Sequence, residues 1–276
     1  MKRILTIQDI SCVGKCSLTV ALPVISAFGV EAAVLPTAVL SNHTAFTSWT
    51  FRDLTDDMVD IANKWKELDV SFDAVYTGYL GSKKQIDIVK DIIKDFKTET
   101  SFSLIDPVMA DHGKLYTGFD LDFVKEMAKL CSVADIIVPN MTEACFMLGV
   151  PYTEEYDEAY IKEMLKKLTA LGAKTAILTG ITFDKKNLGA YGYNSETDEY
   201  FYYSREYLPV SFHGTGDIFA SALLGALSIG KNQKEALSIA VDYTVECIIK
   251  TMQNEKHNWY GVDFESAIPY LTERIK

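Results

Sequence analysis

The stretch AVYTGYLGSKKQIDIVKDIIKDFKTETSFSLIDP, residues 74–107, contains one complete strand–helix–strand unit. Its two apolar, partly β-branched runs, Ala74–Thr77 and Phe102–Ile105, predict short buried strands. Between them, Ser82 and Gln85 predict a capping box at the start of an amphipathic helix. Because parallel strands need a crossover of a dozen or more residues, this unit indicates a parallel sheet with helical connections.

The same alternation of strand and helix continues along the whole chain. Further strands are predicted at Arg3–Gln8, Ala32–Leu35, Ile136–Val138 and Thr175–Leu178. Helices are predicted at Ser17–Phe28, after an N-cap at Thr55, from the Ser82 cap through Phe96, at Leu121–Leu130, from Thr142, at Tyr156–Leu171, at Gly214–Ile229 and from Asn232 to Met252. Two alternating runs, Leu188–Tyr193 and Glu199–Tyr203, predict an antiparallel hairpin at one edge. We expect a three-layer α/β/α fold with a mostly parallel central sheet. No linker or internal repeat interrupts the pattern, so residues 1–276 are predicted to form one domain.

Composition narrows the kind of partner. The chain has 27 Lys and Arg against 38 Asp and Glu, a net charge of −11, which disfavours broad binding to nucleic acid or to a membrane surface. No apolar segment is long enough for a membrane span or a signal-peptide core, so we expect a cytoplasmic protein. The five cysteines lack C-x-x-C spacing, which predicts reduced thiols and disfavours zinc. With nucleic acid and membrane surfaces disfavoured, the partner predicted from composition is a small molecule.

Polar residues follow most of the predicted strands. In open parallel sheets, ligands bind outside the carboxyl ends of the strands, where loops and helix N-termini converge. That rule selects seven stretches: Asp9, Ser41–Thr44, Gly78–Tyr79, Asp106, Asn140–Glu143, Thr179 and Gly214–Asp217. Their convergence predicts one binding site.

The turn Gly214-Thr215-Gly216-Asp217 combines an anion site with an acid. Glycines at a helix start leave backbone N–H groups free and let a phosphate approach closely. Asp217 could simply complement the helix dipole. Beside an anion site, however, it could take the proton of a hydroxyl group, and the two features together suit phosphoryl transfer to an alcohol.

Two other nucleotide-binding motifs fit poorly. A dinucleotide fingerprint would need a small residue at the position of Phe219 and normally follows the first strand. A P-loop ending at Gly14-Lys15 would need glycine in place of Asp9 and Ser or Thr in place of Cys16. We therefore disfavour both.

The acids Asp106 and Glu143 are candidate ligands of a hydrated Mg²⁺, with Asn140 close by. The alternative is that Asn140 or Thr142 caps a helix and Glu143 lies in its first turn. The loop Ser41–Thr44, which includes His43, offers hydrogen-bonding side chains to a polar molecule, although solvated loops have the same composition. Tyr79 could stack on a flat ring or cover the core.

Taken together, these residues resemble the pyridoxal kinases of the ribokinase-like superfamily over nearly the whole length. The matching segments are Ile4–Gln8 with Gly14, Ser41–Thr44, Gly78–Ser82, Asp106–Met109, Pro139-Asn140 with Glu143, and Gly214–Asp217. The resemblance implies transfer of the ATP γ-phosphoryl group to the 5′-hydroxymethyl group of a vitamin B6 vitamer. Homodimers and a supporting K⁺ are common in such kinases.

The resemblance also implies roles for individual residues. Asp217 would be the base, and Gly214, Thr215 and Gly216 the anion-binding turn. Asp106, Asn140, Glu143 and Thr179 would serve ATP, with Asp106 and Glu143 at its Mg²⁺; Asp9, Ser11, His43, Thr44 and Tyr79 would line the vitamin pocket.

Two departures leave the substrate open. Many relatives have serine where Asp9 stands, so an amine-bearing vitamer such as pyridoxamine is one hypothesis, and Ala110 replaces a usual glycine. A hydroxymethylpyrimidine kinase of thiamin synthesis shares the fold and the base, and a non-catalytic ligand sensor could share the fold alone. A sugar kinase would have an early lid segment, which we do not find.

Overall fold

The computed structural model describes all residues, 1–276. The strands are β1 Arg3–Ser11, β2 Glu31–Leu40, β3 Phe51–Asp53, β4 Ala74–Thr77, β5 Phe102–Ile105, β6 Ala110–Asp111, β7 Lys114–Leu115, β8 Ile136–Ile137, β9 Thr175–Ile181, β10 Asn187–Asn194 and β11 Glu199–Glu206. The helices are α1 Leu18–Ala27, α2 Thr55–Glu67, α3 Lys83–Phe96, α4 Leu121–Cys131, α5 Met141–Leu148, α6 Glu158–Ala170, α7 Thr215–Ser228, α8 Gln233–Gln253 and α9 Phe264–Arg274.

Nine strands form one sheet in the order β11-β10-β9-β8-β5-β4-β1-β2-β3. The six central strands, β9 to β2 in that order, pair in parallel, and the β10–β11 hairpin continues the sheet antiparallel at one edge. One buried apolar cluster joins the sheet to α2–α6, and a second joins its other face to α1 and α7–α9. The predicted three-layer α/β/α fold, with its edge hairpin, is confirmed.

Several boundaries differ from the prediction. β4 and β5 are confirmed at both ends, whereas β2 continues to Leu40 because its second half pairs with β3, an antiparallel edge strand that the sequence analysis missed. β1 likewise continues to Ser11, with a register irregularity after Gln8. The polar residues Asp9 and Ser11 therefore belong to this strand, which was predicted to end at Gln8.

Two predicted helix caps need correction. Thr55 is the first residue of α2 and not its N-cap; its N–H donates to Asp53. Ser82 does cap α3, but Gln85 accepts from the N–H of Gly81 and so does not complete a capping box with Ser82. The buried Gln85 amide instead donates to the Thr37 carbonyl and to Thr55, which joins α3 to β2 and α2.

The capping box predicted at Asn232 and Glu235 is confirmed at the start of α8. The sequence analysis missed α9 and the small β6–β7 hairpin. No helix combines the length and apolarity needed to cross a membrane. All five cysteines are unpaired, and four of them are buried.

Candidate active site

The selected stretches meet at the carboxyl edge of the parallel strands. Ser17 links Asp9 at the end of β1 to Asp217 on α7, donating to both carboxylates. The rings of His43, after β2, and His213, before α7, lie 4.8 Å apart between centroids. Asn140 and Thr179 form a parallel bridge next to Glu143.

The glycine turn presents free donors. Gly214 is the N-cap of α7 in a left-handed conformation, φ 82°, and its own Cα faces the Lys15 carbonyl, which lies 2.2 Å from where a Cβ would stand. The backbone N–H groups of Thr215, Gly216 and Asp217 have no hydrogen-bond partner, as expected in a first helical turn. A Cβ at Gly216 would meet nothing within 4 Å. An anion can therefore approach the head of α7.

Asp217 is half-buried in the first turn of α7. One carboxylate oxygen accepts the Ser17 N–H at 2.9 Å, which leaves the other oxygen without a protein donor. Burial raises the pKa of Asp217 to about 6; the Ser17 N–H opposes this rise and the charge of Asp9 adds to it. A carboxylate with this pKa is ionised at neutral pH and is well suited to accept a hydroxyl proton.

Asp9 is buried and held by two hydroxyl groups. Ser11 Oγ donates to one carboxylate oxygen at 2.9 Å, and Ser17 Oγ donates to the other at 2.5 Å. Burial raises the pKa of Asp9, and the two hydroxyls oppose the rise. Ser11, predicted to contact a substrate, is only 3% exposed, and its hydroxyl donates to Asp9.

Glu143 takes part in the helix cap that the sequence left as an alternative. Asn140 Oδ1 accepts the Glu143 N–H, and Glu143 Oε2 accepts the Asn140 N–H, both at 2.9 Å, so α5 begins with a capping box and at Met141 rather than Thr142. Glu143 Oε1 also accepts the Met109 N–H at 3.1 Å. Burial raises the pKa of Glu143 to about 7 against these backbone donors.

Asp106, directly after β5, has no hydrogen bond to its carboxylate. Burial raises its pKa well above the ordinary value, and the charges of Glu143 and then Asp217 add to the rise. The charge of Asp9 thus raises the pKa of Asp217, and the charge of Asp217 raises the pKa of Asp106. Asp217, the candidate base, therefore lies within electrostatic range of both Asp9 and Asp106.

The two buried acids fit a hydrated Mg²⁺. No group of three or more His, Cys, Asp or Glu side chains is arranged to hold a metal, so the protein has no complete metal cage. Mg²⁺ ordinarily binds through one or two carboxylates plus waters and substrate phosphates. Asp106 has both oxygens free and a neighbouring acid that disfavours its charge, which is the condition that a divalent cation would relieve.

The other predicted substrate contacts, Tyr79, His43 and Thr44, differ in burial and in neighbours. The Tyr79 side chain is half-buried, and its pKa is raised by burial and then by the charge of Asp9. His43 is half-buried; burial and the facing His213 lower its pKa, so it is neutral at pH 7. Thr44 is exposed and makes no side-chain hydrogen bond within the protein.

Sequence reasoning missed two parts of the site. The sequence predicts Ser17 only as the start of a helix, and no local signal marks its role in the site, because its partners are distant in the sequence. The β6–β7 hairpin lies beside Glu143: the Asn140 side chain donates to the Ala110 carbonyl, and the Gly113 N–H donates to Thr142. Its turn, His112-Gly113, has positive φ at both residues, so the Gly113 position was a usable hairpin signal.

The fold and the chemistry of this edge define a ribokinase-like phosphotransferase. A family model described as phosphomethylpyrimidine kinase matches residues 19–261, and the chain belongs to that family. A Bacteroides thetaiotaomicron protein, provisionally described as a phosphomethylpyrimidine kinase and crystallised in an orthorhombic form with pyridoxal, is 41% identical with a TM-score of 0.93. The match covers 98% of this chain and 95% of that one.

Pyridoxal kinases are also among the similar proteins, which confirms the resemblance drawn from the sequence. The crystal structure of the Lactobacillus plantarum pyridoxal kinase is 29% identical, with a TM-score of 0.91, and the match covers 99% of this chain and 97% of that one. The Dictyostelium discoideum pyridoxal kinase is 27% identical over 270 residues, covering 93% of this chain and 87% of the relative.

Proposed function

We propose that the protein transfers the γ-phosphoryl group of ATP to the 5′-hydroxymethyl group of a vitamin B6 vitamer. The observation that carries this proposal is the head of α7, where three unpartnered N–H groups adjoin the half-buried carboxylate of Asp217. Such a turn offers donors for the charge on the transferring group and a base for the attacking alcohol.

Each side chain has a specific task in this proposal. The free oxygen of Asp217 accepts the proton of the substrate hydroxyl, while the Ser17 N–H fixes the other oxygen. The N–H groups of Thr215, Gly216 and Asp217 stabilise negative charge on the transferring group, and the absent Cβ of Gly216 admits it. Since the base and the donors belong to one helical turn, their separation does not depend on loop motion.

The nucleotide half of the site is proposed at the other side of Asp217. Asp106 and Glu143 would hold Mg²⁺ through its waters, and Asn140 with Thr179 would lie along the nucleotide. Bound there, Mg²⁺ supplies positive charge that offsets the phosphates and the buried acids.

The vitamin half is proposed around Asp9. Tyr79 provides an aromatic ring within range of the Asp9 charge, Ser11 holds Asp9, and His43 and Thr44 would add polar groups from the loop after β2. A negative Asp9 favours a substrate with a protonated amine, which keeps pyridoxamine as the hypothesis for the preferred vitamer.

Hydroxymethylpyrimidine remains the second candidate substrate, because the family model is described by phosphomethylpyrimidine kinase activity. Single-turnover assays of ATP consumption with pyridoxal, pyridoxamine, pyridoxine, hydroxymethylpyrimidine and ribose separate the candidates. We expect phosphorylation of a B6 vitamer at the 5′ position. Turnover of hydroxymethylpyrimidine alone would replace the proposal, and no turnover with any of the five would favour a ligand sensor.

Four further properties are proposed with the function. The single continuous sheet supports one domain over residues 1–276, and the unpaired cysteines suit a reducing compartment such as the cytoplasm. A homodimer and a K⁺ requirement rest on the resemblance to pyridoxal kinases. Analytical ultracentrifugation and a monovalent-ion titration of activity test these last two.

A further inference from the structure

Ser17 occupies an unusual position at the start of α1. It is the N-cap residue by place, yet its side chain makes no capping hydrogen bond, and its backbone has φ 52° and ψ −135°. Residues with a side chain rarely adopt a positive φ, and such conformations persist only where the surroundings impose them. The surrounding contacts therefore hold Ser17 in this conformation.

Two of those contacts are to acids of the proposed site. The Ser17 hydroxyl donates to Asp9 at 2.5 Å, and the Ser17 N–H donates to Asp217 at 2.9 Å. The Ser17 hydroxyl thus bonds the acid of the proposed vitamin half, while the Ser17 backbone N–H bonds the proposed base. The conformation at positive φ is what lets one buried residue serve both carboxylates at once.

The loop containing Ser17 also contacts the glycine turn directly. The Lys15 carbonyl packs where Gly214 would otherwise have a Cβ, and Gly261 approaches Lys15 from another side, with a Cβ position 2.6 Å from Lys15 Cβ. Lys15 Nζ is fixed by Asp263 at 2.9 Å and Glu265 at 2.8 Å. Loop Gly14–Ser17 is therefore braced against the C-terminal segment on one side and the head of α7 on the other.

We propose that Ser17 is a positioning residue for phosphoryl transfer: its positive-φ conformation, fixed by the hydroxyl bond to Asp9, holds the backbone N–H against Asp217 and so orients the base toward the substrate hydroxyl. This inference rests on the proposed function for its catalytic part. Asp217 has no other protein donor, so its orientation depends on this single N–H. Because the contact is to the base, loss of the orientation lowers kcat and leaves the KM for ATP nearly unchanged.

Ser17→Ala and Ser17→Gly separate the hydroxyl from the backbone conformation. Both remove the bond to Asp9, but glycine adopts positive φ readily and keeps the N–H near Asp217, whereas alanine does not. We expect kcat to fall by about tenfold or more in Ser17→Ala and by less in Ser17→Gly, at constant KM for ATP. Ser228→Ala, which removes a buried hydroxyl at the far end of α7, is the control and should keep wild-type kcat.

Two kinetic results would overturn the proposal. One is a kcat for Ser17→Ala within about twofold of wild type. The other is a kcat for Ser17→Gly at or below that of Ser17→Ala in folded protein, since the backbone conformation would then not matter.

A second measurement does not depend on catalysis. Amide hydrogen exchange at Ser17, followed by NMR, should be slow in the wild type and about tenfold faster or more in Asp217→Ala, which removes the acceptor. Equal exchange in the two proteins would exclude the Ser17–Asp217 bond. If the wild type phosphorylates none of the tested alcohols while this exchange difference is present, the proposed function fails and the structural link stands.

Discussion

The backbone N–H of Ser17 lies 2.9 Å from a carboxylate oxygen of Asp217, although 200 positions separate the two residues in the chain. The contact joins the loop after β1 to the head of α7, the two elements that contribute the vitamin side and the anion-binding side of the proposed site. It also leaves only one oxygen of Asp217 free. The direction from which a substrate hydroxyl can be deprotonated is therefore set by the fold.

Asp217→Asn tests the base. Asparagine has nearly the same shape and its amide oxygen can still accept the Ser17 N–H, so the fold is retained. We expect kcat to fall by about 10²–10⁴-fold, because the amide cannot accept a proton, while ATP binding stays measurable by calorimetry. Wild-type turnover in this variant would show that Asp217 is not the base.

The pH dependence of kcat follows from the same group. Burial raises the pKa of Asp217 to about 6, and the carboxylate accepts a proton only in its ionised form. The rate should therefore be constant above that pKa and fall by about tenfold per pH unit below it. Steady-state kcat measured between pH 5 and pH 8, with circular dichroism to verify folding, checks this. A flat profile down to pH 5 would contradict it.

Glu143→Gln tests the metal site against a structural role. Glu235→Gln is the control, since Glu235 has the same capping-box position in α8. Gln233, two residues earlier, donates to Thr175 at the amino end of β9, so this cap lies at the sheet edge away from the candidate site. Glutamine can still complete a capping box, so Glu235→Gln at its exposed position should hardly change the free energy of unfolding. Glu143→Gln leaves one of two buried backbone N–H groups without its acceptor and should lower that free energy by about 1–3 kcal/mol. Only Glu143→Gln should raise the Mg²⁺ concentration needed for half-maximal activity. An unchanged metal titration would remove Glu143 from the metal site.

The two glycines of the turn should respond differently to alanine. Gly214→Ala places a Cβ against the Lys15 carbonyl at a positive φ, so we expect a loss of about 2–4 kcal/mol in the free energy of unfolding. Gly216→Ala meets no neighbour and should keep stability, yet its methyl group occupies the approach of the anion and should lower kcat by about tenfold or more. Urea unfolding and steady-state kinetics measure both. Full activity in Gly216→Ala would place the phosphate elsewhere.

Asp9→Ser tests the choice of vitamer. If the Asp9 charge recognises an amine, wild-type kcat/KM is higher for pyridoxamine than for pyridoxal, and the ratio falls by about tenfold in Asp9→Ser, the loss of one charge-assisted hydrogen bond. Asp53→Asn is the control, because the Asp53 charge also raises the pKa of Tyr79 but Asp53 lies exposed on β3. This variant should keep the wild-type ratio. Equal specificity constants for the two vitamers in the wild type would refute the hypothesis.

Local patterns in the sequence determined much of the fold. The strands Ala74–Thr77 and Phe102–Ile105 and the cap at Asn232 depend on neighbours within a few residues, so composition and spacing are sufficient to predict them. The turn Gly214–Asp217 was found for the same reason, since free N–H groups at a helix start are a local property. The sheet rule then assembled the site from separate stretches, and Asn140 and Thr179 from two of them do lie together. His43 also contacts His213, which the rule did not select.

Only the tertiary structure decided how the acids differ. The local sequence does not distinguish the environments of the four carboxylates Asp9, Asp106, Glu143 and Asp217, whereas burial and distant partners do. Hydroxyl groups donate to Asp9, backbone N–H groups donate to Glu143, and the Asp106 carboxylate has no donor. The role of Ser17 and the continuation of β1 through Asp9 likewise depend on residues far away in the chain. Desolvation and long-range hydrogen bonds set these properties, and neither is encoded in local spacing.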